Sequence, residues 1–262
     1  MNPIAAYGRY VPRPKENSVK HSSWLTLILV VVSFTLSADA FAKVRENFER
    51  DIPFSAGGRF EIENSNGSID IKTWNEGTLR IEAVKEAKSD ADLEDIEIVI
   101  DGSGDSVSIE TVHHRRHNGG KVSYIISMPA EANVSVSTAN GSVTIEGIRG
   151  HVDAKSTNGS IKVEDIDGEV EATTTNGSIR ARYVRATDGR HTFKTVNGSV
   201  RVYLPSDAGG EFEANTVNGS IKVDFPTNLE RASRRHMRGS FGSGGGAFEI
   251  ETVNGSVKLL QN

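Results

Sequence analysis

The stretch NGSIKVEDIDGEVEATTT, residues 158–175, follows directly on NGSVTIEGIRGHVDAKST, residues 140–157, and matches it position by position. Ile161 takes the place of Val143, and polar and apolar residues alternate on both sides of a glycine, which is Gly168 in the later copy. Alternation with a period of two predicts short strands with one apolar face. Each copy therefore predicts two strands, with one bend at this glycine and another at Asn-Gly-Ser.

The tripeptide Asn-Gly-Ser occurs seven times, and the last six copies are spaced by 18, 18, 21, 21 and 36 residues. A period of this length is typical of a small unit that is copied and stacked. The tripeptide also fits the acceptor pattern for N-glycosylation. Its regular position favours a structural turn instead, because Asn and Gly tolerate left-handed backbone geometry. The predicted turn residues are Asn66, Gly67, Asn140, Gly141, Asn158, Gly159, Asn176, Gly177, Asn197, Gly198, Asn218, Gly219, Asn254 and Gly255.

The residue two positions before each Asn shares the parity of the apolar positions, so we expect it to point inward. It carries a hydroxyl or an amide in every copy, and short side chains of this kind hydrogen-bond tight corners. Stacked units would then form ladders of asparagine and of threonine. The inward residues are Asn64, Thr138, Ser156, Thr174, Thr195, Thr216 and Thr252.

The repeats predict an all-β, right-handed parallel β-solenoid (β-helix) over residues 131–262, with coils of 18–21 residues. The alternative is an antiparallel β-meander or sandwich, in which each Asn-Gly is a hairpin turn. A meander would bury one face of its sheet against a second layer, and the sequence offers neither a covering helix nor a second set of repeats. Identical corners also favour the solenoid, because stacked corners share one environment.

Residues 43–130 are rich in predicted strands but less regular. Asn66 lies in this portion, 74 residues before the next copy, which suggests an early repeat interrupted by a long excursion. The acidic stretch Ser89–Asp95 predicts a helical turn. The predicted strands are Arg59–Glu63, Ser68–Lys72, Thr78–Val84, Ile96–Ile100, Ser106–Thr111 and Val122–Met128.

The largest insertion between copies is the segment 226–246, which is rich first in Arg and then in Gly and Ser. This composition predicts an extruded, mobile loop. Its guanidinium groups could bind phosphate, lipopolysaccharide or another acidic polymer through charge-assisted hydrogen bonds. Beyond the loop, Val257 and Leu259 end the chain as half a unit. The candidate ligand residues are Arg231, Arg234, Arg235 and Arg238.

Residues 1–42 predict a secretory signal. Basic residues precede the mostly apolar stretch 24–36, and Ala40-Phe41-Ala42 supplies the small residues that a signal peptidase reads. A membrane span needs roughly 20 apolar residues, so cleavage after Ala42 is favoured and an uncleaved anchor is the alternative. We therefore expect export to the periplasm, the cell surface or the medium, with membrane anchoring if the segment is retained.

Charge and cysteine content exclude several classes of function. Residues 43–262 contain 26 Lys and Arg against 33 Asp and Glu, a net charge of −7 with His neutral. A net acidic chain of mixed charge argues against nucleic acid as a partner. The chain has no Cys, so disulfides and thiol chemistry are excluded. Stability must come from burial and backbone pairing.

Two polar clusters are candidates for chemistry. The run His113–His117 offers imidazoles, but the neighbouring sequence adds no carboxylate of the kind that completes a metal site; it fits a solvated hairpin tip, and no metal or cofactor is predicted. Glu164, Asp165 and Asp167 lie near one corner, as the paired carboxylates of polysaccharide-cleaving enzymes do. No His or Arg accompanies them in the alternation, so we predict that the protein is not an enzyme.

The segments ENSNGSIDIKTW (63–74) and VSYIISMPAEANVSVSTANGSVTIEG (122–147), with the repeated TTNGSI and TVNGSV, resemble DUF4097, a bacterial family of candidate adhesins. The resemblance extends from Phe60 to the C-terminus. It implies a β-helix-like repeat domain and export or surface display, and it supplies no catalytic residues.

From these observations we expect an exported, non-enzymatic cell-envelope or surface protein of adhesin-like type that acts in binding or as a scaffold. Its partner would be an envelope or surface glycan, lipid or protein. Two alternatives stay open. The protein could self-assemble through the open strand edges at the solenoid ends, or it could be a sensor or regulator of envelope stress.

Overall fold

The computed structural model describes residues 43–114, 120–185 and 188–262, and strands dominate all three ranges. The predicted signal and anchor at residues 1–42 lie outside the described residues. No described helix is long and apolar enough to cross a membrane. The described elements are β1 (Val44–Asn66), β2 (Ile69–Trp74), β3 (Thr78–Ala87), α1 (Asp90–Glu94), β4 (Ile96–His113), β5 (Lys121–Pro129), β6 (Ala132–Asn140), β7 (Val143–Glu146), β8 (Val152–Asn158), β9 (Ile161–Asp167), β10 (Val170–Asn176), β11 (Ile179–Arg185), β12 (Arg190–Asn197), β13 (Val200–Leu204), β14 (Gly210–Asn218), β15 (Ile221–Val223), β16 (Thr227–Ala232), β17 (His236–Phe241), β18 (Gly246–Asn254) and β19 (Val257–Gln261).

The strands form two facing sheets that share β1. Sheet A runs β1–β3–β5–β2–β7–β9–β11–β13–β19–β15. Sheet B runs β4–β1–β6–β8–β10–β12–β18–β14–β17–β16. Each coil contributes one strand to sheet B, turns at Asn-Gly-Ser and contributes the next strand to sheet A.

Strands of successive coils pair in parallel and in register. Val143 pairs with Ile161 in sheet A, and Ala154 pairs with Ala172 in sheet B. The prediction of an all-β parallel solenoid is thereby confirmed, and the meander is excluded. Antiparallel pairs among the described strands occur at the two ends of the stack, where β3 joins β1 and β5, and where β17 joins β14 and β16.

The coils do not stack in chain order at the C-terminal end. β18 lies between β12 and β14, and β19 lies between β13 and β15. The strand predicted as a half-unit, β19, therefore completes a coil with β18, and this coil is inserted between two earlier ones. The last residue, Asn262, is tied in by hydrogen bonds to the carbonyls of Leu204 (2.9 Å) and Tyr183 (2.8 Å).

The prediction of a mobile loop at 226–246 is wrong. Residues 227–241 form the antiparallel hairpin β16–β17, and β17 continues sheet B beyond β14. Phe241 of the hairpin is buried and packs on Phe225, with ring centroids 4.8 Å apart, and on Phe212 at 6.2 Å. Burial of Phe241 against these rings favours the hairpin over an open loop. The composition of the segment does not show that Phe241 has aromatic partners elsewhere in the chain, so the prediction missed this contact.

The N-terminal portion contains the predicted strands, with two differences. β1 begins at Val44, well before the expected Arg59, and the two strands predicted within 96–111 are continuous as β4. The predicted helical turn is α1, and its N-terminus is capped by Ser89, whose hydroxyl accepts from the Asp92 N–H at 3.2 Å. β1 and β2 form the first coil, so the interrupted early repeat at Asn66 is confirmed.

The core fills the space between the two sheets with the inward residues of every coil. Coils with small inward residues, such as Ala172 and Ala181, are next to coils with large ones, such as Phe193. All three side chains are fully buried. The aromatic ring of Phe193 thus follows two successive coils with alanine at this position, Ala154 and Ala172.

Candidate functional site

The seven Asn-Gly-Ser corners form one continuous column along an edge of the solenoid. Each interior asparagine donates its side-chain amide to the side-chain oxygen of the previous coil and accepts from the next, at 2.8–2.9 Å. The predicted asparagine ladder is confirmed. Its order along the stack is Asn66, Asn140, Asn158, Asn176, Asn197, Asn254 and Asn218.

The inward threonines are buried as predicted, and all except Thr138 bond to glycines rather than to one another. The hydroxyl of Thr174 donates to the Gly159 carbonyl of the preceding coil at 2.8 Å, and Ser156 does the same to Gly141 at 3.1 Å. Thr195, Thr252 and Thr216 repeat the contact. These five bonds tie neighbouring coils together through the corner.

The corner glycines are required by close approach more than by left-handed geometry. Gly67 has a φ of 120°, but the other six Asn-Gly glycines have no positive φ. A Cβ on Gly177 would lie 2.1 Å from the Gly159 carbonyl oxygen. The predicted turn role is therefore retained, with a different physical cause: stacked corners leave no room for a side chain.

The four predicted ligand arginines lie on the β16–β17 hairpin and are all exposed. Arg231 and Arg238 face each other across the two strands, and Arg234 and Arg235 form the turn. Arg238 is neutralised by Glu230, with Nε–Oε2 at 3.1 Å. The other three have no ion pair with a described residue.

Sequence reasoning missed an apolar stripe next to this hairpin. Val196, Val253 and Val217 precede the Asn in three neighbouring coils and are 40%, 38% and 54% exposed. They line a groove of about 510 Å³ together with Arg235. The signal was available in the three TVNGS copies, since earlier coils carry Ser, Ala or Thr at this position. We call Val196, Val253 and Val217 the valine stripe.

A cluster of three charged residues, one lysine and two glutamates, borders the valine stripe on sheet B. Lys194 Nζ lies 2.6 Å from Glu249 Oε1 and 3.4 Å from Glu251 Oε2. The hydrogen bond that Lys194 donates to Glu249 raises the pKa of Lys194. This lysine is thus paired with carboxylates of its own chain, and Arg235 is the other cation of the groove, without an ion pair to any described residue.

A second groove, of about 1220 Å³, lies at the opposite corners, where coils bend without Asn-Gly-Ser. It contains Asp165 and Asp167, two of the acidic residues considered for catalysis. Asp167 is ion-paired with Arg185, and the third acid, Glu164, is paired with Lys162 at 2.8 Å. Two of the three carboxylates, Glu164 and Asp167, are therefore held in ion pairs with different basic residues.

The histidine run lies partly outside the described residues, because 115–119 are not described. Of the remainder, His114 Nε2 lies 2.9 Å from Glu97 Oε2. Among the described residues no group of three or more His, Cys, Asp or Glu could hold a metal ion.

Comparisons with known proteins concern the family and the fold. No curated protein matches the sequence. A solved structure described as a candidate cell adhesion protein from Clostridium sporogenes is 12% identical, with a TM-score of 0.46, and covers 84% of this chain and 100% of its own. A candidate adhesin from Bacteroides fragilis is 11% identical, with a TM-score of 0.43, and covers 83% and 97%. The family profile described as Toastrack DUF4097 matches residues 31–260, and the chain therefore belongs to the DUF4097 family.

Proposed function

We propose that this protein is an exported, non-enzymatic cell-envelope protein that binds an anionic envelope or surface ligand through the β16–β17 hairpin. The unpaired arginines Arg231, Arg234 and Arg235 carry the proposal. Arg231 lies directly opposite Arg238, which is already ion-paired with Glu230. An anionic ligand would therefore bind the three unpaired guanidinium groups, in bidentate fashion where its oxygens allow it.

Charge distribution supports the hairpin over the rest of the surface. The chain has a formal net charge of −5 at pH 7, so most of its surface repels anions. The exposed arginines of the hairpin, at one end of the stack, form a local basic site that attracts them. Export rests on the residue pattern of the segment 1–42. Structures described as candidate adhesins share low identity with this chain, and their names agree with a surface binding role without adding an argument for it.

The test compares two triple variants of the full mature chain. The hairpin variant is Arg231→Gln/Arg234→Gln/Arg235→Gln, and the matched control is Arg50→Gln/Arg59→Gln/Arg149→Gln, three exposed arginines elsewhere that lack ion pairs with described residues. Binding to phosphatidylglycerol vesicles, lipopolysaccharide and a neutral glycan array is measured at low and high salt.

We expect salt-sensitive binding to an anionic probe that the hairpin variant loses and the control variant keeps. Equal losses in both variants would show that general charge and not the hairpin is responsible. Absence of binding to every anionic probe would overturn the proposal, as would unchanged binding by the hairpin variant.

Self-assembly through the solenoid ends is the second candidate function, and one observation favours it. The hairpin covers β14 in sheet B and makes β16 the outer strand, whereas sheet A ends at β15, three residues that pair on one side with β19. An exposed strand edge can template pairing with another chain. Light scattering over a concentration series, with Val223→Pro in β15 as the edge-blocking variant, would show whether association exists and depends on this edge. The backbone groups of Ser220 and Asp224 bond to β19, so those of Val223 face the free edge.

A further inference from the structure

The seven corners share the sequence Asn-Gly-Ser but differ in how the fold holds them. Asn-Gly is the dipeptide in which asparagine is most readily lost to deamidation, because glycine leaves its backbone nitrogen unhindered. In an unfolded chain the seven copies should react alike. In the folded chain, reactivity depends on whether that nitrogen and the asparagine side chain are free to meet.

The reaction has two steps. The backbone nitrogen of the glycine attacks Cγ of the preceding asparagine side chain, a new N–C bond forms, and the side-chain nitrogen leaves as ammonia. Water then opens the resulting succinimide at one of its two carbonyls, giving aspartate or isoaspartate. The attack needs a glycine N–H without a hydrogen-bond acceptor and an asparagine side chain that can turn toward it.

Six of the seven glycine nitrogens are engaged. Each donates to the asparagine carbonyl of the adjacent coil at 2.9–3.1 Å, as Gly255 does to Asn218 and Gly198 does to Asn254. Gly219 has no such bond to any described residue, because its coil is the last in the stack. Among the seven corners, Gly219 is therefore the glycine whose backbone N–H donates no hydrogen bond to a described residue.

The side-chain ladder also holds Asn218 less firmly than the interior asparagines. Interior asparagines are held by two ladder bonds, one donated and one accepted. Asn218 donates to Asn254 Oδ1 at 2.8 Å and accepts from no described residue. Asn66, at the other end, also has a single ladder bond, but its glycine nitrogen donates to the Asn140 carbonyl at 2.9 Å. Asn218 alone meets both conditions within the described chain.

The capping hairpin does not protect this corner. Its pairing with β14 runs from Gly210 to Asn215, and its last hydrogen bond joins the Thr216 N–H to the Arg235 carbonyl at 2.9 Å. Asn218 is exposed and Gly219 is partly exposed. Solvent thus reaches the reacting atoms.

We propose that Asn218–Gly219 is the corner most readily deamidated in the folded protein, and that the other six Asn-Gly-Ser corners are protected by the stack. An eighth Asn-Gly pair, Asn118–Gly119, lies outside the described residues. The product replaces the amide donor with a carboxylate, so an anionic oxygen would face Asn254 Oδ1. An isoaspartate also lengthens the backbone by one atom. Both changes loosen the terminal coil, including the adjoining Val217 of the valine stripe.

The experiment incubates the folded chain in mildly alkaline buffer and follows deamidation at each corner by mass spectrometry of peptides produced at acidic pH. Since each lost hydrogen bond is worth about 0.5–1.5 kcal/mol and roughly 1.4 kcal/mol is a tenfold change in rate, we expect Asn218 to react on the order of tenfold faster than any other corner. The same chain in guanidinium chloride should show similar rates at all seven.

A second variant, Asn254→Ser, removes the acceptor that still holds Asn218 and should speed its reaction further. Equal rates at all seven corners in the folded chain would overturn the proposal. A fastest rate at an interior corner or at Asn66 would do so as well, and so would a stable Asn218 while the unfolded chain reacts.

Discussion

The side-chain amide of Asn254 donates a 2.8 Å hydrogen bond to the side-chain oxygen of Asn197, which lies 57 residues earlier in the chain. Asn218, the next copy of the repeat in sequence, bonds instead to the far side of Asn254. The ladder thus shows that the coil of Asn254 lies between two coils that precede it in the sequence. The position of this coil can be tested with introduced cysteines, because the natural chain has none.

We expect the double variant Lys194→Cys/Glu251→Cys to form a disulfide under mild oxidation. These residues are partners on neighbouring strands, roughly 4.8 Å apart, within the range a disulfide spans. The control variant, Lys194→Cys/Asn215→Cys, joins strands two steps apart, at roughly 9.6 Å, and should stay reduced. Gel mobility without reductant distinguishes them, and the opposite result would mean that the coils stack in chain order.

The corner glycines should tolerate no side chain. Gly177→Ala places a Cβ 2.1 Å from the Gly159 carbonyl oxygen, so we expect a loss of about 3 kcal/mol in the free energy of unfolding, at the upper end for overpacking. Gly77→Ala is the control, since nothing lies within 4 Å of its Cβ position, and it should change stability by less than about 0.5 kcal/mol. Urea titration measures both. Similar effects for the two variants would argue against close stacking at the corners.

The threonine contacts predict a difference between two residues of one column. Thr174→Val removes the donor to the Gly159 carbonyl and should cost about 1–2 kcal/mol of unfolding free energy. Thr138 is equally buried, but its hydroxyl has no hydrogen-bond partner in the structure, so Thr138→Val should be neutral or stabilising. Thermal unfolding of both variants gives the comparison. A cost for Thr138→Val equal to that for Thr174→Val would mean that packing, not the hydrogen bond, matters at this position.

Alkaline pH should weaken the fold through Tyr124. Burial raises the pKa of Tyr124 to about 12, against a smaller opposing effect of its 2.6 Å hydrogen bond with Thr111. The unfolded chain loses this proton near pH 10. The contribution of Tyr124 to the free energy of unfolding is therefore fully present below that pH, and the free energy falls by roughly 2–3 kcal/mol between pH 10 and about pH 12.

The variant Tyr124→Phe lacks the titrating group, and its stability should fall less over the same pH window. Tyr183, whose pKa burial also raises, leaves a remaining decline in both proteins. Denaturant unfolding at a series of alkaline pH values measures the difference. Parallel curves for the two proteins would rule out Tyr124 as a contributor.

The stack could be predicted from the sequence because every coil follows the same alternation of inward apolar and outward polar residues. Alternation around Ile161 indicated the strand and its buried face, and the position of Thr174 indicated an inward hydroxyl. The physical role of Gly177 was harder to predict, since a left-handed turn and a crowded corner both favour glycine.

The order of the last coils could not be predicted, because β12, β14 and β18 end in the same TVNGS sequence. Backbone pairing therefore does not distinguish the partners of Thr195. The difference lies in outward side chains: Lys194 meets Glu249 and Glu251 in the observed order, and its partner in chain order would be Asn215. The hairpin was missed for a related reason. Phe241 stabilises it by packing on Phe212 and Phe225, and these partners lie outside the segment whose composition was considered.

The inserted coil, β18 and β19, separates two neighbours that both precede it in the sequence. A protein without residues 246–261 would lack a layer from the middle of the stack, because β12 and β14 would lose their shared partner, as would β13 and β15. The coils before this segment therefore cannot complete their native pairing by themselves, and the neighbours of the inserted coil depend on a segment that follows them both.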